Sequence, residues 1–318
     1  MTYDSILLVA FGGPTPGCCK RRETCLGEPH CFVEGILGST PERAQRVQTV
    51  VDHYRQLGGF SPFDAMTLLQ AQALSRTLAS QEISVPVRVG MRHWAPWLKD
   101  VLKEISQAGE RRILAIIMAP HQSPVSWDWY QQVVSEGCAA LGEDAPSVDY
   151  LDPWPTHPGF LRASAESIRA ATGNWAQDRL EAASLVFSAH AIPESLAVRS
   201  PYVRQVADTA ALVAEAVGKP SHIVAYQSQA TDRAVRWSEP DIHQVIDELA
   251  TRGVKDVIVS PIGFLCENVE VLFDLDVAAR ATAKARAMTF TRTCTVGAHP
   301  AFIQMLAGLV ASRFAATR

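Results

Sequence analysis

A chain of 318 residues with 47% apolar residues carries enough material for two ordinary domains with full cores. Its net charge of −4, from 29 Lys and Arg against 33 Asp and Glu, excludes nucleic acid or another polyanion as the partner it is built around. No stretch is long and apolar enough to span a bilayer, and Met1 leads into a strand without a signal peptide. A cytoplasmic protein is therefore expected, in which the seven cysteines are not a disulfide framework.

The first element, Ser5–Ala10 (SILLVA), is a continuous apolar run of the kind a strand buried on both faces needs. Phe11-Gly12-Gly13-Pro14 ends it, and residues 15–40 read as irregular, rich in Cys, Gly and Pro. Pro41 suits the first position of a helix running to about Leu57, where Gly58-Gly59 stops it. A helix over Thr67–Ala79 and a strand over Val85–Gly90 follow. The next helix starts from Pro96, with Trp97, Leu98, Val101, Leu102 and Ile105 on one face, and Gly109 closes it. A strand over Arg112–Ala119 and a helix over Val125–Gly142 complete a first half.

The pattern breaks at Leu151-Asp152-Pro153-Trp154-Pro155 and restarts: helix Phe160–Ala171, strand Ala183–Ser188, helix Tyr202–Val217, strand His222–Gln227, helix Asp241–Thr251. A strand and an acidic helix share Val257–Asp276, and a last helix starts at Pro300. Such alternation predicts an α/β protein with parallel sheets covered on both faces. The expected domains are 1–152 and 153–299, with the helix 300–318 packing back on the first. The halves also echo each other. Pro96 and Gly109 recur 144 residues later as Pro240 and Gly253, and the same shift sets Ser126 opposite Glu270. LLVAFGGP aligned with LVFSAHAIP sets Phe11 opposite His190. Ligands of open parallel sheets bind beyond the carboxyl ends of strands, where Phe11, His121, His190 and Glu270 all fall.

The acidic stretch VIVSPIGFLCENVEVLFDLD sets Glu267, Glu270 and Asp274 at i, i+3 and i+7, which is one helix face. Glu267 suits a first turn, where acids complement the helix dipole; Asp274, two turns in among Val269, Leu272 and Phe273, does not. A row of acids there suggests a path for protons or cations, with His190 as its partner: a neutral imidazole accepts a proton or ligates a metal near neutral pH. A core histidine bonded to backbone is the plainer reading of His190 alone. Neither GxGxxG nor a phosphate-binding lysine loop is present, which argues against a dinucleotide enzyme. His93-Trp94, Ser126-Trp127-Asp128-Trp129-Tyr130 and Trp237 put aromatic surface just past strands, as a cleft for a flat apolar ligand requires. Cys18, Cys19, Cys25 and Cys31 crowd one segment and suggest a metal centre, either an iron–sulfur cluster or structural zinc, though their spacing matches no common motif.

LLVAFGGP, HYRQLGGFSP, GMRHWAP, APHQSPVSWDWY, FSAHAIPESL, YQSQATDRAVRWSEP and GFLCENVEVLFDLD together resemble, in this order, the ferrochelatase family. The likeness covers nearly the whole chain and is closest to the soluble bacterial members, many of which act on coproporphyrin III. The resemblance implies a chelatase fold of two Rossmann-like domains with the porphyrin between them, and insertion of Fe²⁺ as substrate with loss of two pyrrole protons. It further implies His190 as proton acceptor or metal ligand, Glu270 as its partner carboxylate and Asp274 as the continuation of the acidic face. Phe11, Tyr54, Ser61, His93, Ser126, Tyr130 and Trp237 match the porphyrin pocket. A monomer is expected.

Departures from the family pattern bear on the choice of porphyrin. Cys266-Glu267-Asn268 stands where Ser-Asp-His is common, with Glu267 expected to compensate for the missing histidine. The usual arginines after the first strand are absent, leaving Lys20, Arg21 and Arg22 as substitutes. Several bacterial relatives carry a 2Fe–2S cluster on a C-terminal extension, for which Cys18, Cys19, Cys25 and Cys31 would be another location. The alternatives are a chelatase of another tetrapyrrole, of the sirohydrochlorin cobalt type, and a non-catalytic porphyrin or heme carrier.

Overall fold

The computed structural model of the chain describes residues 3–17, 26–229 and 235–316. Strands β1 (Ser5–Ala10), β2 (Val87–Met91), β3 (Arg112–Ile117) and β4 (Ser147–Tyr150) form one sheet in the order β2-β1-β3-β4, all parallel. Strands β5 (Ser184–His190), β6 (His222–Gln227), β7 (Asp256–Ser260) and β8 (Thr289–Arg292) form a second in the matching order β6-β5-β7-β8, again all parallel. The echo in the sequence is thus an echo of topology. It extends to detail: the Pro96 carbonyl accepts from Met91 N–H at the end of β2, and the Pro240 carbonyl accepts from Tyr226 N–H near the end of β6, both at 2.8 Å.

Side-chain alternation along β1 explains why the run is apolar throughout. Ile6, Leu8 and Ala10 face a core shared with the helix Phe63–Ala79, whereas Leu7 and Val9 face the helices Leu98–Gln107 and Trp129–Ala139. Leu185, Phe187 and Ala189 on β5 divide from Val186 in the same way. The last helix, Pro300–Ala316, buries Phe302, Leu306, Val310 and Phe314 in the core of the first sheet. It lies close against the helix Pro158–Thr172 because residue 159 is glycine: a Cβ there would stand 2.6 Å from Met305 Cβ and 2.8 Å from the Ala301 carbonyl.

Contacts between the halves position the site. His121 and Gln122, beyond β3, dock on the helix Tyr202–Ala216: His121 Nε2 lies 3.0 Å from Thr209 Oγ1, and the amides of Gln122 and Gln205 bond twice at 2.8 Å. On the other side, the helices Glu28–Leu37 and Pro41–Gln56 bury Phe32, Val47, Val51 and Tyr54 against Trp94 and against Val269 of the second half. The helix Glu28–Leu37 corrects the expectation of irregular chain up to residue 40. Strands β4 and β8 went unread because short edge strands such as SVDY and TFTR are half exposed and carry no apolar run.

Candidate active site

His190 ends β5, and Glu270 lies in the first turn of the helix after β7, so two sheet-end positions face one another. His190 Nε2 is 3.5 Å from Glu270 Oε2, and 37% and 46% of their side-chain surfaces reach solvent. The other ring nitrogen, Nδ1, stands 2.5 Å from the Ala191 carbonyl and donates to it, leaving Nε2 for the carboxylate and for substrate. Tyr202 holds the same residue from behind, its hydroxyl donating to the His190 carbonyl at 2.8 Å. Glycine at 263 is required for this packing: a Cβ would stand 2.7 Å from Ala189 Cα. Burial opposes a charge on His190, but Glu270, its hydrogen bond, the Ala191 carbonyl and Asp274 outweigh it and push its pKa up to about 9. For Glu270 too, burial works against charge, yet His190 and then Arg46 hold its pKa below the usual value.

The carboxylate row is shorter than the i, i+3, i+7 spacing predicts. Asn268 caps the helix by accepting from Val271 N–H at 2.8 Å, so the helix begins after Glu267. Glu267 does not stand in for the missing histidine. Both of its carboxylate oxygens take Arg292 Nη1 at 3.0 Å, and Oε1 also accepts from Thr295 N–H at 2.9 Å. The same guanidinium pairs with Asp276 at 2.7 Å, and Arg292 is only 12% exposed. Arg292 therefore clamps both ends of the segment carrying Glu270 and Asp274.

Asp274 itself continues the site. From Leu272 to Ala279 the helix widens into π turns, a local irregularity common at functional positions. Ser228, in a left-handed conformation with φ +64°, donates its hydroxyl to Asp274, while Gln227 donates to the Glu270 carbonyl at 3.2 Å. Burial, helped by the charge on Glu270, pushes the pKa of Asp274 up to about 6.

An aromatic wall stands beside the pair. Phe11 lies 4.6 Å from the His93 ring, Phe32 lies 5.7 Å from Tyr54 and 6.0 Å from Trp94, and His93 N–H donates to the Phe11 carbonyl at 2.9 Å. The Tyr54 hydroxyl is raised well above its ordinary pKa by burial, with Glu270 and Asp64 adding to it. Tyr130 is buried too, its hydroxyl raised by burial while sensing both Arg92 and Glu270. Ser126 occupies a π turn over Pro124–Asp128 and meets Ser123 Oγ at 2.9 Å. Ser61 is turned to backbone: its hydroxyl accepts from Phe63 N–H at 3.3 Å, against Gly13. Trp237 packs on the second core with its indole N–H buried and unpartnered among the described residues.

Two groups lie elsewhere. His121 is buried in the seam against Thr209, and burial pushes its pKa down to about 3, so it stays neutral and outside the open site. A hollow of about 580 Å³ lies by the edge strand β2 between Leu68, Ala71, Val87 and Val89, away from His190. Cys18, Cys19 and Cys25 fall outside the described residues, and so do Lys20, Arg21 and Arg22. Cys31 is described and buried among Phe32, Val33 and Val47, a setting for a small apolar side chain. Among the described residues no three His, Cys, Asp or Glu side chains gather as a metal site. Sequence reasoning missed Arg46 and Ser228. Arg46, Val50, His53 and Leu57 share one face of their helix, and the 3.6 Å stack of His53 on Phe273 shows that this face meets the acidic helix.

Comparison with known proteins points to one family. A family model described as Ferrochelatase matches residues 28–314. The coproporphyrin III ferrochelatase of Propionibacterium freudenreichii is 35% identical over 97% of this chain and 87% of its own length. That of Mycolicibacterium vanbaalenii is 32% identical over 98% and 90%. The ferrochelatase of Rhodopirellula baltica is 30% identical over 98% and 86%. Among solved structures, SirB from Bacillus subtilis with Fe³⁺ superposes with a TM-score of 0.58 over 98% of this chain and 96% of its own; at 15% identity it shows a shared fold.

Proposed function

The chain belongs to the ferrochelatase family, the metal-insertion enzymes of heme biosynthesis, and from that premise we propose that its porphyrin substrate is coproporphyrin III and that His190, Glu270 and Asp274 carry the proton transfers. The carrying observation is His190 Nε2 at 3.5 Å from Glu270 with Asp274 on the same helix behind it. Coproporphyrin III is supported by the names of the relatives above.

One Fe²⁺ enters the macrocycle and two pyrrole protons leave, so charge balances. In the resting pair His190 holds a proton and Glu270 is anionic. The charge of an arriving Fe²⁺ lowers the imidazole's proton affinity, as bound cations do for groups beside them. The proton passes to Glu270 and on to Asp274, whose pKa of about 6 lets it load and unload near neutral pH. Nε2 is then free to take one pyrrole proton, and when that has followed the same route to Asp274 and solvent it takes the second. Phe11, His93 and Tyr54 form a wall on which a tetrapyrrole can be held bent, and the family resemblance adds Ser61, Ser126, Tyr130 and Trp237 to the pocket; binding energy spent on that distortion exposes nitrogen lone pairs. Residues 1–152 with the last helix would supply this wall, and 153–299 the proton path.

Anaerobic protein mixed with Fe²⁺ and coproporphyrin III should develop the visible spectrum of the metalloporphyrin. His190→Ala with undiminished turnover would remove the assignment. For Cys18, Cys19, Cys25 and Cys31 the crowding of four thiols in one segment is the support for a 2Fe–2S centre, with structural zinc as the alternative. Iron, sulfide and zinc analysis of protein purified without air decides it, and absence of all three refutes both. A cytoplasmic monomer goes with this reading, and light scattering tests the monomer.

A further inference from the structure

We propose that Arg92 is a substrate-binding residue that receives a carboxylate of the tetrapyrrole and biases this chain toward porphyrins with more carboxylates. The inference rests on the porphyrin reading above and deepens it.

Arg92 comes directly after β2, at the same edge of the sheet as Phe11, and its N–H donates to the Ala10 carbonyl at 3.0 Å. Its guanidinium carbon lies 4.3 Å from the centroid of the Trp129 ring, stacked on an indole that is 44% exposed. Stacking orients the plane and leaves the edge of the fork free. Nη1 is buried, yet among the described residues it has no hydrogen-bond partner, and Arg92 makes no ion pair there. Two other half-buried arginines behave differently: Arg88 is paired with Glu110, and Arg292 with Glu267 and Asp276. The next residue, His93, lies 4.6 Å from Phe11, so the backbone of Arg92 adjoins the aromatic wall, and Tyr130 and Glu136 act on its charge without pairing with it.

A desolvated, unpaired guanidinium N–H is an unmet demand for an anionic acceptor, and a carboxylate answers it with two parallel hydrogen bonds. Porphyrins differ in this respect. Coproporphyrin III carries a propionate where protoporphyrin IX carries a vinyl group, which offers Arg92 nothing. A site with a buried donor discriminates strongly against the analogue lacking the acceptor, because that donor is then left unpaired.

The test uses the full chain and two variants, Arg92→Met and Arg92→Lys, with kcat and KM for Fe²⁺ insertion into coproporphyrin III and protoporphyrin IX. Dissociation constants come from quenching of porphyrin fluorescence. In Arg92→Met, the ratio of kcat/KM for coproporphyrin III to that for protoporphyrin IX should fall about tenfold, mostly through KM. Arg92→Lys keeps the charge without the fork and should fall between wild type and Arg92→Met; if Arg92→Met does not fold, this ratio alone decides. A role confined to packing on Trp129 would slow both substrates equally, and an unchanged ratio overturns the proposal. Wild-type protein that inserts iron into neither porphyrin overturns the functional reading, and the role of Arg92 with it.

Discussion

Replacing Glu270 by Gln tests the central pair most directly. Wild-type His190 is held up near 9, although burial pulls the other way. At 3.5 Å the attraction is about 5 kcal/mol for an effective dielectric of 20 and about 1 kcal/mol in water. More than a third of each side chain reaches solvent, so the lower figure is nearer. With about 1.4 kcal/mol per pKa unit, and the lost hydrogen bond added, Glu270→Gln should bring the His190 midpoint down by about one to two units. The assay is a pH titration of the imidazole resonances by NMR, with His190→Ala used to assign the signal. The sign extends to stability. A histidine raised on folding contributes stability that is complete below its unfolded pKa near 6.5 and is lost as pH rises toward 9. Glu270→Gln should therefore flatten the decline of stability on the alkaline side. A midpoint unmoved by the substitution would mean that Glu270 does not control His190, and the proton path would lose its first step.

Three further outcomes are expected. His190→Ala should lower kcat by about 10²–10⁴-fold while porphyrin quenching still reports binding; loss of binding with it would point to a structural role. Asp64, buried with Gly13 N–H on one oxygen and the other unpartnered among the described residues, has its pKa pushed up by burial from 3.8 to about 7. Folding then takes up a proton between those values, so Asp64 removes up to about 4 kcal/mol of stability as pH rises through them. Asp64→Asn keeps an acceptor for Gly13 and should make urea unfolding less pH-dependent between about pH 5 and pH 8; an unchanged dependence would contradict it. Arg292→Met strands the Glu267 and Asp276 carboxylates and should cost about 3–5 kcal/mol in the same assay, and a loss below about 1 kcal/mol would show that solvent already satisfies them.

The interior strands were legible because SILLVA and SLVFSA are buried on both faces and so carry no polar alternation. His190 was legible because it directly follows such a run. The acidic helix was only half legible. Spacing alone put Glu267 on its face, but where a helix begins depends on its cap, and Asn268 starts this one a residue too late for Glu267. Arg292, which claims Glu267, lies on β8, a strand with too little apolar character to announce itself. Arg46 and Ser228 come from elements distant in sequence, so only the packing of the chain brings them to the carboxylates.

The last helix has a consequence for how the chain is made. Phe302, Leu306 and Val310 cover apolar residues of β1 and β3 that leave the ribosome far earlier. Domains ordinarily fold in the order of synthesis, but here the earliest strands stay open on one side until residues 300–316 emerge. The nascent chain thus carries a sticky surface through most of translation, which is a reason for it to need a chaperone's shelter.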